Sequence, residues 1–343
     1  MSTDTSTTPA ARPRGLPGAA GILLRVRDAV GTQNISLIAA LAILVTVIGA
    51  QNSAFFDLAN IKNIGTAVAI LGIIAVAQTV VMLLGGLDIS VGSIAGLASV
   101  VTAMVFTSSG TAPGMLAALG IGVAAGLFNG LVIVYGRVNA VIATLATFAA
   151  FRGVANLVSG GRAQGYTGAD PVFSWLARGE ILGIPSLVWL LALVAAVVHT
   201  MLRYTDIGRN IYAIGGNSVA ARLAGINLNR YIVGVYVMVG VVAAVAGILL
   251  TARTGSGQPT SGSQGLELQS ITAAALGGCS LQGGKGTITG TILAVILLGV
   301  LTNGLTVLGV NTFWQDVAQG GLLIAAVVIQ QRRGGARAVG LPA

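Results

Sequence analysis

"LLGGLDISVGS", residues 83–93, interrupts one of the most apolar runs of a 343-residue chain with two adjacent glycines and an aspartate. A Gly-Gly pair weakens a helix, and a charge surrounded by hydrocarbon is costly. The stretch is therefore either a short turn between two membrane-spanning helices or a helix broken at a functional place. The arrangement of the remaining apolar runs decides which.

Apolar residues make up 55% of the chain and charged residues 8%, against about 25% charged in an ordinary soluble domain. With a mean hydropathy of +0.91, this is the balance of an all-α polytopic membrane protein. Fifty glycines, only eight prolines and no collagen-like period suit helices packed at close range. The single cysteine, Cys279, excludes an internal disulfide. A net charge of +9 could serve nucleic-acid binding, but the basic residues are dispersed in short polar segments, the pattern of a membrane protein biased to one face.

A spanning helix needs about 20 mostly apolar residues. The pattern predicts ten spans: 35–51, 64–84, 90–107, 113–135, 139–158, 184–202, 231–252, 269–282, 287–308 and 313–330, the eighth short and glycine-rich. An even number places both termini on one side. With the termini cytoplasmic, the inner segments carry thirteen Lys and Arg (Arg12, Arg14, Arg25, Arg27, Arg137, Arg203, Arg209, Arg222, Arg230, Lys285, Arg332, Arg333 and Arg337). The outer segments carry four, Lys62, Arg162, Arg178 and Arg253, and Arg152 falls inside a span. That asymmetry follows the positive-inside rule. Residues 1–34 then read as a flexible cytoplasmic tail with no cleavable signal peptide, 35–330 as the transmembrane domain, and 331–343 as a second cytoplasmic tail.

"LFNGL" (127–131) and "LTNGL" (301–305) fall late in the fourth and ninth spans, which run in opposite directions. The chain therefore reads as two inverted five-helix halves, an arrangement typical of transporters. Enzyme chemistry finds no constellation. His199 has no second histidine beside it, and one Cys with one His cannot supply a zinc site. "GGCSLQGGKG" (277–286) departs from a phosphate loop, since Gly286 follows Lys285 where Ser or Thr is required.

The longest inner segment, 203–230, contains a short predicted helix capped by Asn217 or Ser218, running Val219 to Ala224 and closed by Gly225. It is too short to stand alone. It either lies on its own bundle or docks a cytoplasmic partner, with Arg209 and Arg222 facing acidic groups.

"GRNIYAIGGNSVAARLAGIN" (208–227) closely resembles the coupling segment of the sugar branch of bacterial ABC-importer permeases, the ribose/xylose type. "GGLDISVGS" (85–93), "TLATFAAFRGVANLVSGG" (144–161), "QPTSGSQGLELQSITAAALGGCSLQGGKGTITGT" (258–291) and "GVLTNGLTVLGV" (299–310) are similar to the same family, in the same order, over about 35–330. Cys279 and Gln282 stand where Thr and Ala are common. The resemblance implies a type II ABC-importer fold in a bacterial inner membrane. It also implies a second permease chain, identical or a close paralogue, two cytoplasmic ATPases that bind ATP and Mg, and an extracytoplasmic sugar-binding protein. Arg209, Asn217, Arg222 and Gly225 match its coupling segment, and the cargo it implies is a ribose-, xylose- or galactose-like sugar.

Four polar residues are candidates for the translocation path: Asn129, Arg152 and Asn303 inside spans, and Glu267 in the outer segment just before the eighth. Arg152 is expected to pair with Glu267 or Asp316, to bond a carbonyl, or to meet the solute. Asn129 and Asn303 either join helices or line a path for a hydroxylated solute. In the opening stretch, Gly85, Gly86, Asp88 and Ser90 form an inner turn, with Asp88 expected to cap the third helix at the N–H groups of Val91 and Gly92. A gating role for Asp88 is the other reading. An ion-coupled secondary transporter is the competing function, since it too uses inverted repeats.

Overall fold

The computed structural model describes residues 32–166 and 170–334. The expected tails fall outside them apart from 32–34 and 331–334, as do Arg12, Arg14, Arg25, Arg27 and Arg337. Thirteen α-helices follow one another: α1 (Thr32–Gln51), α2 (Leu58–Leu84), α3 (Val91–Ser109), α4 (Thr111–Val134), α5 (Ala140–Ser159), α6 (Pro171–Arg178), α7 (Ser186–Tyr204), α8 (Asp206–Gly216), α9 (Ser218–Leu223), α10 (Leu228–Thr254), α11 (Leu266–Leu276), α12 (Ile288–Val307) and α13 (Thr312–Gly334). A 3-10 turn (Ser53–Phe56) and four two-residue strands complete the described elements: β1 (Gln164–Gly165) pairs with β4 (Ser256–Gly257), and β2 (Glu180–Ile181) with β3 (Ile184–Pro185).

Among the described residues eight helices are long and apolar enough to cross a membrane: α1 to α5, α7, α10 and α12. The expected tenth span is α13, a 23-residue helix that is less apolar than these. The expected eighth span, 269–282, is corrected. Its helix is α11, of 11 residues, which rises only about 16 Å at 1.5 Å per residue. Irregular backbone flanks it on both sides. Gly257 lies against Ser99 and Val100, Gly96 against Pro259, and Gly92 against Ser263 and Glu267, so residues 257–267 run down the side of α3. Non-helical backbone at membrane depth is tolerated only where protein or water satisfies it.

The two halves share a packing pattern. α4 packs on α10 as α12 packs on α2; α3 on α10 as α11 on α2; α3 on α4 and α5 as α11 on α12 and α13. The halves are inverted. Asn129, late in α4, bonds Ser90, and Gly284, just before α12, bonds Leu83. So α4 finishes, and α12 starts, at the end of the bundle where α2 finishes. That end also carries α8 and α9.

α2 is the central post. Every residue from Val68 to Leu84 is buried, and α7, α8, α10, α11 and α12 surround it. Its all-round apolarity is what a helix enclosed by protein needs. In lipid, helices associate by close packing more than by apolar burial. Gly122, Gly126 and Gly130 accordingly form one stripe along α4 against α10. A Cβ on Gly122 would lie 2.4 Å from the Gly240 carbonyl oxygen, and one on Gly126 would lie 2.3 Å from that of Tyr236. β1, α6, β2 and β3 lie in the described part of the α5–α7 connection. There Asp170 caps α6, and the Phe173 N–H and the Thr111 hydroxyl hold its carboxyl below the usual range.

Candidate functional site

The opening stretch forms a tight turn in which Asp88 and Ser90 are buried while Gly85 is exposed. α2 ends because Gly85 adopts φ 90°, with its N–H on Met82 O and the Gly86 N–H on Val81 O, a glycine C-cap. Asp88 is fully buried. Its Oδ1 accepts from the Ser90 N–H at 2.8 Å and the Ser90 hydroxyl at 2.6 Å. Val91 and Gly92 are not its donors, which corrects the expected cap: Ser90 holds the N-cap position of α3. The carboxylate bonds the turn that leads into α3 instead.

Four helices reach this turn. Asn129 of α4 donates to Ser90 Oγ at 2.8 Å. The Tyr236 hydroxyl of α10 donates to Leu87 O at 3.1 Å. Thr144 of α5 approaches the same carbonyl at 3.4 Å. On α2, the Gln78 amide spans the Asp88 backbone, donating to its carbonyl and accepting from its N–H at 3.2 Å each. Asp88 Oδ2 and Asn129 Oδ1 have no protein donor. Two acceptors left over in one buried cluster make it a place where a single added donor would complete the network.

A second cluster lies on the irregular stretch before α11. Arg152 of α5 donates through one terminal nitrogen to Pro259 O and to Ser263 Oγ, each at 2.9 Å, with Phe148 beneath the guanidinium at 5.4 Å. Glu267 sits in the first turn of α11, 6% exposed, with Oε1 accepting from Gly265 N and Oε2 against Gly92. Among the described residues Arg152 is within ion-pair distance of neither Glu267 nor Asp316. Of the sequence alternatives, the structure shows the carbonyl-bonded arginine.

Between these clusters and the end opposite α8–α9 lie two adjoining cavities. The larger, about 630 Å³, is bounded by α2, the end of α10, residues 262–269 and α12, and its polar lining includes Asn63, Arg253, Gln264, Gln269, Thr302 and Asn303. The smaller, about 430 Å³, opens between α11, α12 and α13 and adds Asp316 and Gln319. Gln264, Gln269 and Thr302 border both. Such volumes are in the range of small-molecule pockets, roughly 300–1,000 Å³. Uncharged amides and hydroxyls dominate the polar groups, the chemistry that meets a hydroxylated, uncharged solute.

The candidate residues thus separate into groups. Gly85, Gly86, Asp88, Ser90 and Asn129 gather at the buried turn. Arg152 and Glu267 share the 259–267 stretch. Asn303 reaches the larger cavity, where its amide exchanges two hydrogen bonds with Asn60 at 3.0 and 2.8 Å. Arg209, Asn217, Arg222 and Gly225 are exposed at the α8–α9 end. Asn217 caps α9 by accepting from Val219 and Ala220, and Gly225 closes it at φ 84°. Arg209 pairs with Asp206 in its own helix α8, a second helix in the 203–230 segment beside the one expected at 219–224. Gln78, Gln264, Gln269 and Thr302 were missed, although lone amides and hydroxyls beside long apolar runs were a usable signal.

Asn303→Leu is expected to lower stability by about 1 kcal/mol, typical of an interhelical polar pair in a membrane. Asn60→Leu on the same chain should add only the loss of its separate bond to the Phe55 carbonyl, because both bonds to Asn303 are already gone. A thermal-unfolding cycle on the three variants measures this, and additive losses would refute the pairing.

Residues 60–327 match the family model described as "Branched-chain amino acid transport system / permease component". The chain is 39% identical over 297 residues to the ribose import permease protein RbsC of Escherichia coli K12, covering 86% of this chain and 92% of that one. The RbsC of Bacillus subtilis 168 is 40% identical over 295 residues, 85% and 91% of the two chains. The L-arabinose transport system permease protein AraH of Escherichia coli K12 is 37% identical over 285 residues, 81% and 84%. No solved structure matches the chain.

Proposed function

The chain belongs to the branched-chain amino acid transport system permease family, and from that premise we propose that it is the membrane-spanning subunit of an ATP-driven monosaccharide importer. The observation that carries this is the match, over 81–86% of the chain, to permeases named for ribose and L-arabinose import, at 37–40% identity. The polar-lined cavities give the solute a place to pass. The chain moves it by alternating access between the two inverted halves and performs no covalent chemistry. ATP and Mg are bound by separate ATPase subunits at the cytoplasmic face, where α8 and α9 expose Ile207, Val219 and Leu223 beside Arg222. A second permease chain completes the pathway, and a binding protein delivers the sugar at the opposite face. Both termini lie in the cytoplasm, in keeping with the distribution of Lys and Arg.

Arg152, Glu267, Asn129 and Asn303 belong, on this reading, to the path and its supports. Gln264 and Gln269, common to both cavities, face the solute most directly. Gln269→Leu removes hydrogen-bonding groups worth about 1–1.5 kcal/mol to a bound hydroxyl. Uptake at low sugar should fall roughly tenfold while ATP hydrolysis by the partner persists.

Proteoliposomes test the whole reading. The chain co-reconstituted with its ATPase and binding protein should take up D-ribose or L-arabinose only when ATP is enclosed with the ATPase. Uptake by the chain alone, driven by an ion gradient, would overturn it.

A further inference from the structure

Three pieces of backbone meet at the α8–α9 end with no side chain between them. They are the end of α2, the last turn of α8, and the hairpin 279–287 that precedes α12. The Gly284 N–H donates to Leu83 O at 2.9 Å. A Cβ on Gly215, near the end of α8, would fall 1.8 Å from Leu83 O and 2.6 Å from Gly284 N. A Cβ on Gly283 would fall 2.8 Å from Gly215 O and 2.9 Å from the Cα of Gly85. One helical turn back, the Tyr212 hydroxyl donates to Gly286 O at 2.9 Å. Side chains can absorb a displacement by changing rotamer. Backbone in direct contact cannot, so a shift of α8 must move both of its neighbours.

Those neighbours lead to different halves of the molecule. From Leu83 the chain enters the buried Asp88 turn within five residues, in the first half. From Gly284 it enters α12, which walls the larger cavity in the second half. Resting on the reading proposed above, we infer that Gly215 is the positioning residue through which movement of α8–α9 is delivered to both halves at once. The contact is a junction in which α8 serves as a lever, and its apolar residue Ile207 is half exposed for a partner to grip.

Adjacent glycines supply the test. A Cβ on Gly216 meets nothing within 4 Å, so Gly216→Ala controls for the loss of a helical glycine. The complex with ATPase and binding protein is reconstituted, and D-ribose uptake is measured per ATP hydrolysed. Gly215→Ala is expected to keep hydrolysing ATP while uptake per ATP falls at least about tenfold, a lost coupling of the usual allosteric size. Gly216→Ala should match the unaltered complex. Tyr212→Phe, which removes one bond and adds no bulk, should lower uptake per ATP roughly two- to fivefold with assembly intact. Unchanged uptake per ATP in Gly215→Ala, or an equal loss in Gly216→Ala, would overturn the assignment. If Gly215→Ala fails to assemble, Tyr212→Phe decides, and normal coupling there refutes the junction. Failure of the importer reading itself shows in the unaltered complex, not in the ratio between variants.

Discussion

Gly240→Val in α10 is expected to eliminate folded protein. A Cβ there would lie 2.1 Å from Gly122 O and 3.0 Å from both the N and the Cα of Gly126, so the obstruction is helix backbone on the facing α4. No rotamer relieves a clash made by Cβ itself, and α4 and α10 would have to separate. Overpacking a well-filled core costs about 1–3 kcal/mol where side chains can yield. Here they cannot, and the cost should exceed that range, approaching the whole stability of a typical domain, about 5–15 kcal/mol. Separation would also withdraw Tyr236 and Asn129 from the buried turn, because both stand on these two helices. Gly234 is on α10 as well, but a Cβ added to it meets nothing. Gly234→Ala should therefore be tolerated or gain up to about 1 kcal/mol from helix propensity. Size-exclusion profiles and unfolding midpoints in detergent measure both. A monodisperse Gly240→Val peak with an unaltered midpoint would refute the close crossing.

Asp88→Ala is expected to cost about 2–6 kcal/mol, because the Ser90 N–H and the Ser90 hydroxyl would lose their acceptor in a buried site at about 1–3 kcal/mol each. The hydroxyl also receives the Asn129 amide, so the loss reaches α4. Asp88→Asn keeps an oxygen in the Oδ1 position and supplies an N–H where Oδ2 has no donor. It should fold within about 1 kcal/mol of the unaltered protein and transport normally, since a neutral amide completes the network that the carboxylate leaves open. Unfolding midpoints and uptake assays on the pair decide the matter. If Asn impairs uptake as severely as Ala while folding normally, the negative charge itself acts in gating, and the turn is more than a structural bond.

The spanning helices were legible because each is a long apolar run stopped by polar or glycine residues. Boundaries predicted at 64–84 and 231–252 grew to Leu58–Leu84 and Leu228–Thr254 because the additional turns still satisfy their own backbone. α11 was misread because the irregular stretch 257–265 reads locally as an outer loop, whereas it packs along α3, and the helix that follows ends at Leu276 instead of running on to 282. What makes that backbone tolerable is α3, whose Gly92 and Gly96 admit it and which lies more than 150 residues earlier. Asp88 failed for a related reason. A local rule offers the nearest free N–H groups, whereas the fold brings Gln78, Asn129 and Tyr236 from three helices to enclose the turn. Arg152 showed the limit of matching opposite charges. A guanidinium has five donors, and the exposed carbonyls of an irregular segment compete for them as well as any acid.

The enclosure of α2 also sets a schedule for assembly. α2 leaves the ribosome second among the spanning helices, yet the Thr79 hydroxyl in its middle meets its side-chain partner Thr291 only 212 residues later. At about 5–20 residues per second of synthesis, that leaves roughly ten to forty seconds in which the helix must sit in lipid without the neighbours that later bury it. During that interval Thr79 relies on its bond to the Ala75 carbonyl, within its own helix. The helix that ends as the best-hidden part of the molecule is thus the one that must first be stable in hydrocarbon, and its uniform apolarity meets both conditions.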